Sequence, residues 1–308
     1  MIGFNARLRW LLPLAATGAA ALAASTGAGA ITGSGFPITV KAANGAVTIP
    51  ARPTRIVSLS PAATQDLFAD GAGKQVVAVD SYSTYPKGAP VTSLNGYSPN
   101  VEAIAKYRPH LVVVYVDNDD VVGHLEKLHI PVLVEPAAVN LAGAYQQIEQ
   151  LGRATGHASA ASQVVAGMKR KIDAAVAAVP RPKKPLSVYV EIGTNPYYSV
   201  TSDTFIGQII SLFGLRNIAD KAGGTYTSLS SEYIVASDPD LIILADTVCC
   251  GQTAATVLAR PGWKDISAVK TGSVLAVNDS IASQWGPTIV EFIEDVGREV
   301  EKVEASTK

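Results

Sequence analysis

The chain has 308 residues, of which 48% are hydrophobic and 17% charged, and its 25 Lys and Arg residues nearly balance its 26 Asp and Glu residues. This composition is typical of a folded protein, and the lack of excess positive charge argues against a nucleic-acid partner. The charge is unevenly placed, because residues 1–30 hold two arginines and no acid, so the remaining 278 residues carry 23 bases and 26 acids.

The N-terminal segment has the pattern of an export signal. Arg7 and Arg9 precede an apolar stretch, Trp10–Ala24, and the segment ends in Ala28-Gly29-Ala30. This pattern predicts a signal peptide over residues 1–30, cleaved after Ala30. The alternative is a membrane anchor, but the apolar stretch is shorter than the roughly 20 residues that span a bilayer. We therefore expect a protein soluble in the periplasm, with no cysteine near the cleavage point to carry a lipid.

Residues 31–54 are polar and contain a hairpin-like Asn44-Gly45 pair, after which β-branched runs alternate with helical patterns. Several runs are apolar at consecutive positions, which is typical of parallel strands covered on both faces. We predict an α/β fold with parallel-rich sheets in two similar lobes, residues 55–139 and 181–308. The predicted strands are Arg55–Leu59, Val76–Val79, Leu111–Val116, Val132–Val134, Ser187–Ile192, Leu241–Ala245 and Ser273–Ala276.

Residues 140–180 are almost wholly helix-forming, with interruptions near Gly152 and Gly156, and prolines at 180, 182 and 185 end the pattern. A helix of about 20 residues spans about 30 Å, which is enough to cross from one lobe to the other. We predict a linking helix here. The alternative is a helix packed inside one lobe.

An internal repeat supports two related lobes. Residues 100–114 match residues 230–244 without a gap at an offset of 130, and Glu, Ile, Pro, Leu and an apolar triplet coincide. Similarity of one helix–strand unit also arises by chance, so the repeat alone favours duplication without establishing it.

Motifs for bond-breaking chemistry are absent from the sequence. There is no G-x-S-x-G motif, and the last histidine is His157, so the second half lacks the histidine that completes an α/β-hydrolase triad. Gly71-Ala72-Gly73-Lys74 lacks the other residues of a phosphate loop, and the four histidines do not cluster with carboxylates. We expect no catalytic residue, no metal site and no cofactor, and we keep an exported hydrolase as a lesser alternative.

Aromatic and small polar residues concentrate where predicted strands end. Ligands of open α/β sheets bind beyond the carboxyl ends of strands, so these loops should surround one cleft between the lobes. The alternative for any single tyrosine is ordinary loop packing. The candidate ligand-binding residues are Ser60, Tyr82, Tyr85, Tyr97, Asn195, Tyr197, Tyr198 and Trp285.

The residues that carry a family resemblance are Ser58–Thr64, Ser81–Pro86, Asn100-Val101-Glu102 with Arg108-Pro109-x-Leu111-Val112, and Thr194–Tyr198. With these motifs the chain closely resembles, from about residue 55 to 296, the periplasmic substrate-binding proteins of ABC importers for cobalamin and iron-siderophores. The resemblance implies the class III fold, in which a single long helix joins two lobes and the ligand lies in the cleft.

The resemblance also implies a docking surface for the membrane permease. In that family one glutamate on each lobe binds permease arginines, and Glu102 and Glu232 occupy the matching positions. Exposed carboxylates can form bidentate pairs with arginine. The alternative is that each is an acid in the first turn of a helix, stabilised by the helix dipole. The implied partners are a permease homodimer with its ATPase subunits and a small-molecule ligand, and we expect a monomer.

For the ligand, the cobalamin-binding branch is the most similar in pattern. The resemblance places Tyr82 or Tyr85, the loop 195–198 and Trp285 around a corrinoid. One departure is Gly96, where cobalamin binders place a tryptophan six residues before the first docking glutamate, although Tyr97 follows it. A ferric siderophore or haem therefore stays an alternative to cobalamin, and an interaction module of the same fold stays a further one.

The two cysteines, Cys249 and Cys250, are adjacent. They can form a vicinal disulfide in an oxidising compartment, or they can be two small unpaired residues at a strand end. The sequence leaves both open, and the family resemblance does not extend to this pair.

Overall fold

The computed structural model describes residues 35–180 and 184–306. The predicted signal peptide and its cleavage site after Ala30 lie outside these residues. Among the described helices, none combines the length and the apolar character that crossing a bilayer requires.

The described chain begins with the predicted hairpin. Strands β1 (Ile38–Ala42) and β2 (Gly45–Ile49) pair antiparallel around a turn in which Gly45 has a φ of 103°. A glycine adopts this backbone conformation without steric cost. The Asn44 side chain donates to the Val132 carbonyl at 3.0 Å and accepts from the Val134 amide at 3.1 Å. The turn is thereby fixed to the sheet that follows.

The first lobe contains a parallel sheet of five strands in the order β5-β4-β3-β6-β7, with three helices in its connections. The sequence predicted every strand except β5. The strands are β3 (Ile56–Leu59), β4 (Val76–Asp80), β5 (Val91–Leu94), β6 (Leu111–Val114) and β7 (Val132–Val134), and the helices are α1 (Pro61–Ala69), α2 (Val101–Ala105) and α3 (Val121–Lys127).

The region predicted as one linking helix consists of two helices, α4 (Leu141–Thr155) and α5 (Ala158–Ala178). The predicted interruption near Gly156 is confirmed: this residue ends α4 in the left-handed conformation, with a φ of 78°. The predicted interruption near Gly152 is wrong. Gly152 lies inside α4, where an added Cβ would overlap the methyl group of Ala161 on α5. Its role is to let the two helices approach closely.

The second lobe contains a parallel sheet in the order β11-β8-β13-β14 and a three-stranded antiparallel sheet in the order β12-β10-β9 that the sequence did not predict. The strands are β8 (Ser187–Glu191), β9 (Gly193–Thr194), β10 (Tyr197–Val200), β11 (Arg216–Asn217), β12 (Tyr226–Leu229), β13 (Leu241–Leu244) and β14 (Val274–Ala276). The helices are α6 (Phe205–Ser211), α7 (Ser231–Ser237), α8 (Thr247–Cys250), α9 (Ala254–Leu258), α10 (Ser267–Thr271), α11 (Asp279–Ala282) and α12 (Ile289–Ser306).

Both parallel sheets are covered on two faces, as their continuous apolar runs predicted. Neighbouring residues of one strand point to opposite faces. Accordingly, Ile56 and Val57 are buried in different apolar clusters of the first lobe, and Val188 and Tyr189 are buried in different clusters of the second. Each fully buried side chain of this kind contributes about 1.5–3 kcal/mol to folding relative to an exposed one.

The internal repeat is present in the backbone. The amide of Ala103 donates to the Asn100 side chain at the start of α2, and the amide of Tyr233 donates to the Ser230 side chain at the start of α7. After these helices, Arg108 and Asp238 both have a positive φ, of 47° and 43°. Because the matched residues share caps, dihedral angles and the following strand, the two lobes repeat one structural unit.

Three buried carboxyl groups lie together in the first lobe. Asp66 lies on α1, Asp70 caps the C-terminus of the same helix one turn later, and Glu135 directly follows β7. Burial raises the pKa of Asp70 and of Glu135 to about 8. Burial also raises the pKa of Asp66 well above its usual value, and the Asp70 and Glu135 carboxylates add to this effect. The folded chain therefore keeps protons here that the unfolded chain releases at acidic pH.

The Asp70→Asn variant tests this proton uptake. The folded pKa of Asp70 lies above the unfolded value, so the wild type binds more protons when folded and its free energy of unfolding falls as the pH rises from about 4 to about 8. Asparagine does not ionise. We expect the variant to gain stability over the wild type across this range, by about 1–3 kcal/mol at pH 8, and the gain to level off above it.

The measurement is urea unfolding of both proteins between pH 4 and pH 9. Glu126→Gln, at an exposed position on α3, serves as the control and should follow the wild type at every pH. A constant difference between Asp70→Asn and the wild type over the whole range would contradict the raised pKa.

Candidate ligand-binding cleft

A mainly apolar cavity of about 450 Å³ is lined by residues of both lobes. The first lobe contributes the segment after β7, and the second lobe contributes segments after β8, β13 and β14. These are carboxyl ends of parallel strands, where open α/β sheets bind ligands. Its lining includes Ala138, Val139, Ile192, Phe205, Tyr226, Cys249, Asp279 and Trp285.

Phe205 is positioned by the capped start of α6. The Thr204 hydroxyl donates to the Thr201 carbonyl at 2.9 Å and accepts from the Gly207 amide at 3.0 Å. A Cβ at residue 207 would overlap this carbonyl and would lie 2.6 Å from the Ser202 Cα. The turn can therefore close so tightly only with glycine at this position.

Trp285 connects the cavity to the first lobe. Its ring centroid lies 6.0 Å from that of Tyr115, which directly follows β6. Toward the first lobe, Trp285 also lines a second hollow of about 290 Å³, together with Ser60, Tyr115 and Gln284. Aromatic pairs whose ring centroids lie at this distance add stability beyond the area that they bury. The two hollows thus share one tryptophan wall.

Hydrogen bonds join the lobes beside this wall. The Gln65 side-chain amide on α1 donates to Gln284 Oε1, and the Thr288 hydroxyl donates to Gln65 Oε1 at 2.6 Å. The Thr288 side chain is buried. Buried hydrogen bonds of this kind fix the relative placement of the groups that they join.

Of the predicted ligand-binding residues, Ser60 and Trp285 line these hollows. Ser60 is buried, and its hydroxyl accepts from the Ala63 amide at 3.4 Å as the cap of α1. Tyr85 lines a separate hollow of about 440 Å³ beside α1, with Phe68 and Pro287.

Tyr82 and Tyr97 follow β4 and β5, and their exposed fractions are 67% and 73%. Both lie outside the lining of the two cleft hollows. Before Tyr97, a Cβ at Gly96 would lie against the Leu59 carbonyl and 2.7 Å from an Asp80 carboxylate oxygen. The ends of β3 and β4 therefore leave no space for a tryptophan at this position.

The predicted loop 195–198 belongs to the antiparallel sheet. The Tyr197 ring lies 5.2 Å from the Trp263 ring and stacks with the Arg260 guanidinium at 5.1 Å, so its contacts are those of a packed side chain. Asn195 and Tyr198 are exposed. All three lie outside the lining of the cavity, and their roles as ligand contacts stay predictions.

Among the lining residues that the sequence prediction missed are Tyr115, Val139, Phe205 and Tyr226. Tyr115 lies inside the predicted strand Leu111–Val116, which ends at Val114 in the structure, so its place beyond the strand end was not predicted. Val139 follows the predicted strand Val132–Val134 and could have been found by examining every strand end. Phe205 and Tyr226 depend on the antiparallel sheet, because Tyr226 starts β12 and Phe205 follows β10.

A buried ion pair lies behind the second-lobe wall. Both Glu191 carboxylate oxygens accept from the Arg260 guanidinium at 2.6 Å, and the guanidinium stacks on Trp263 at 4.4 Å. Burial, and then the Glu191 carboxylate, raise the pKa of Asp246 to about 7. One cation thus faces two carboxyl groups, and Asp246 keeps its proton through part of the neutral range.

Cys249 and Cys250 form a vicinal disulfide in α8, which decides between the two alternatives that the sequence left open. Among the described residues, no group of three or more His, Cys, Asp and Glu side chains is arranged to hold a metal ion. The cavity lining is mainly aromatic, aliphatic and sulfur-containing, and its polar residues are Asp203, Thr204, Thr225, Asp279 and Ser283.

Glu102 and Glu232 occupy equivalent positions. Each is the second residue of its helix, α2 or α7, and each side chain is exposed. The pKa of Glu232 is held below its usual value by its own backbone amide and then by the Ser230 hydroxyl. The structure thus presents a carboxylate at the same point of both repeats.

Comparisons with known proteins agree with this architecture. A family model described as "Periplasmic binding protein" matches residues 56–280. An uncharacterized ABC transporter substrate-binding lipoprotein of Bacillus subtilis is 30% identical over 275 residues, which cover 86% of each chain. A cobalamin-binding protein of Halobacterium salinarum is 33% identical over 271 residues, covering 83% of this chain and 72% of that protein.

Among solved structures, a possible iron-binding (periplasmic solute-binding) protein of Staphylococcus epidermidis superposes with a TM-score of 0.70 at 25% identity. The match covers 81% of this chain and 99% of that one.

Proposed function

The chain belongs to the periplasmic binding protein family, and on that premise we propose that it captures cobalamin or a related corrinoid in the interlobe cleft and delivers it to an ABC importer. The observation that carries the proposal is the aromatic and aliphatic cavity at the strand ends of both lobes, divided from a second hollow by Trp285. Such a surface suits a broad, rigid and largely apolar ring. The similarity to the cobalamin-binding protein of H. salinarum supports the same ligand.

A ferric siderophore or haem is the second candidate. It is supported by the similarity to the S. epidermidis structure, whose name refers to possible iron binding. The two candidates differ in the polarity that they require. Hydroxamate or catechol groups need several hydrogen-bond partners, and the cavity lining offers mainly carbon and sulfur surface. This composition favours a macrocyclic ligand, a corrinoid or haem, over a hydroxamate or catechol siderophore. The similarity to the H. salinarum protein favours the corrinoid over haem.

Proteins of this family bind substrates and are in general not enzymes, so the exported hydrolase is not retained. The partners that the family implies are a permease and its ATPase subunits. We propose that the permease is a homodimer, that this protein is an exported soluble monomer, and that Glu102 and Glu232 bind permease arginines. The B. subtilis relative is described as a lipoprotein, so the form of membrane attachment differs between the two proteins in this proposal.

Calorimetric titration of the protein lacking residues 1–30 tests the ligand. Cyanocobalamin, a ferric hydroxamate siderophore and haemin are titrated separately. We expect cyanocobalamin to bind with a dissociation constant of about 1 µM or lower, which corresponds to about −8 kcal/mol. Absence of heat with cyanocobalamin, combined with tight binding of the siderophore or haemin, would refute the corrinoid assignment.

Substitution of Trp285 tests the position of the site. Trp285→Ala removes the wall that the two hollows share, and we expect its dissociation constant for cyanocobalamin to rise at least tenfold. Leu128→Ala is the control, because it removes an apolar side chain of 52% exposure that lies outside the lining of both hollows. An equal loss in both variants would show that the ligand binds elsewhere.

Charge reversal tests the docking surface. The double variant Glu102→Lys/Glu232→Lys should abolish stimulation of the reconstituted transporter's ATPase activity, because lysines repel the permease arginines. Its affinity for the ligand should be unchanged, since both positions lie outside the cavity lining.

The control for this experiment is Glu126→Lys/Glu301→Lys, which makes the same change in net charge at exposed positions of α3 and α12. This control should stimulate the transporter normally. If the control variant loses as much stimulation as the Glu102→Lys/Glu232→Lys variant, the change in net charge explains the loss, and a specific docking contact does not.

A further inference from the structure

The vicinal disulfide lies in the wall of the cleft and has no role in the function proposed above. Cys249 contributes to the lining of the 450 Å³ cavity, together with Ile192, Ala245 and Trp285. Both cysteines are exposed. From this geometry we infer that the Cys249–Cys250 ring contacts the bound ligand and that its reduction weakens binding. The inference rests on the proposed capture of a ligand in this cleft.

A global structural role does not account for the bond. A disulfide stabilises a fold mainly by closing a loop of the unfolded chain, and its effect grows with the length of that loop. Adjacent cysteines close almost no loop and connect no separate elements. The bond therefore acts on the local shape of the segment 247–251.

The segment is fixed at its first end by Asp279, which itself lines the cavity. One Asp279 carboxylate oxygen accepts from the Val248 amide at 2.8 Å and the other accepts from the Cys249 amide at 3.0 Å. The Thr247 hydroxyl donates to the Val277 carbonyl at 2.7 Å. These bonds connect α8 to the end of β14.

The other end is fixed through the buried ion pair. The Gln252 side chain donates to the Cys250 carbonyl at 3.2 Å and accepts from Arg260 at 2.8 Å. Arg260 is held in turn by Glu191. With both ends of the segment fixed in this way, the disulfide ring holds Cys249 at the cavity in one orientation.

The two redox states offer the ligand different surfaces. In the disulfide, the side-chain torsions of both cysteines are locked, and the two sulfurs form one polarizable apolar surface that suits contact with an unsaturated ring. In the reduced state each thiol rotates independently and carries a polar hydrogen. Ordering these side chains on binding then costs entropy that the disulfide form has already lost.

The reductant is a dithiol. One of its thiolates attacks a sulfur of the pair, the Cys249–Cys250 bond breaks and a mixed disulfide forms; its second thiolate then displaces the remaining cysteine. Two electrons and two protons pass from the dithiol to the cysteine pair, and the dithiol leaves as a cyclic disulfide. Exposed disulfides are accessible to this exchange.

The experiment compares oxidised and reduced protein with the same ligands. The purified protein lacking residues 1–30 is first alkylated without reduction and weighed by mass spectrometry, and we expect no cysteine to react. A second sample is reduced with dithiothreitol, freed of it by anaerobic gel filtration and titrated with cyanocobalamin. We expect the dissociation constant to rise about two- to tenfold relative to the oxidised form, the size of one sulfur–aromatic contact.

The Cys249→Ser/Cys250→Ser variant is the control. It should bind as weakly as the reduced wild type, and dithiothreitol treatment should not change it. Alkylation of both cysteines in the unreduced protein, or equal affinity of the oxidised, reduced and variant forms, would overturn the inference while leaving the proposed function intact.

Failure of the proposed ligand gives a different result. If haemin or the siderophore binds and cyanocobalamin does not, the corrinoid assignment fails, and the same redox comparison with the ligand that binds decides the role of the disulfide. If none of the three ligands binds either form, ligand capture and the disulfide contact are both refuted.

Discussion

The direction of parallel strands is the constraint on which the site depends. Parallel strands run in the same direction, so the carboxyl ends of all strands in such a sheet lie on the same side of it. This chain has two such sheets, and the segments after β7, β8, β13 and β14 meet around one cavity. Residues that follow these strands therefore lie at the cleft in both lobes. Across it, the ring of Tyr115, which directly follows β6, contacts the ring of Trp285, which follows α11.

In the second lobe, a buried ion pair fixes part of the cleft wall. Glu191 is the last residue of β8 and directly precedes Ile192 of the lining. Its pair with Arg260 fixes Gln252 and with it the cysteine segment. Replacing a buried ion pair with apolar residues is often neutral for stability, so such pairs are better explained by the geometry that they impose. Here the pair links the antiparallel sheet, through Tyr197 and Trp263, to the cleft wall.

The sequence predicted the seven central strands, the hairpin and the repeat, since continuous apolar runs and a gapless match are strong signals. It could not distinguish Gly152 from Gly156, because one glycine permits close helix packing and the other ends a helix. The sequence did not predict β9, because a strand of two residues is too short to show an alternating hydrophobic pattern. The sequence predicted that Trp285 lies at the cleft. It could not predict the roles of Tyr197 and Tyr198, because their side chains point to opposite faces of β10 and only packing decides which ring faces the core.

The carboxyl cluster of Asp66, Asp70 and Glu135 changes how the chain's charge should be counted. The formal charge of −3 for residues 31–308 assumes that every acid is ionised. Asp70 and Glu135, with pKa values of about 8, are mostly neutral in the folded protein at pH 7. Folding at neutral pH thus takes up protons, and the folded chain carries less negative charge than its formal count of acids and bases.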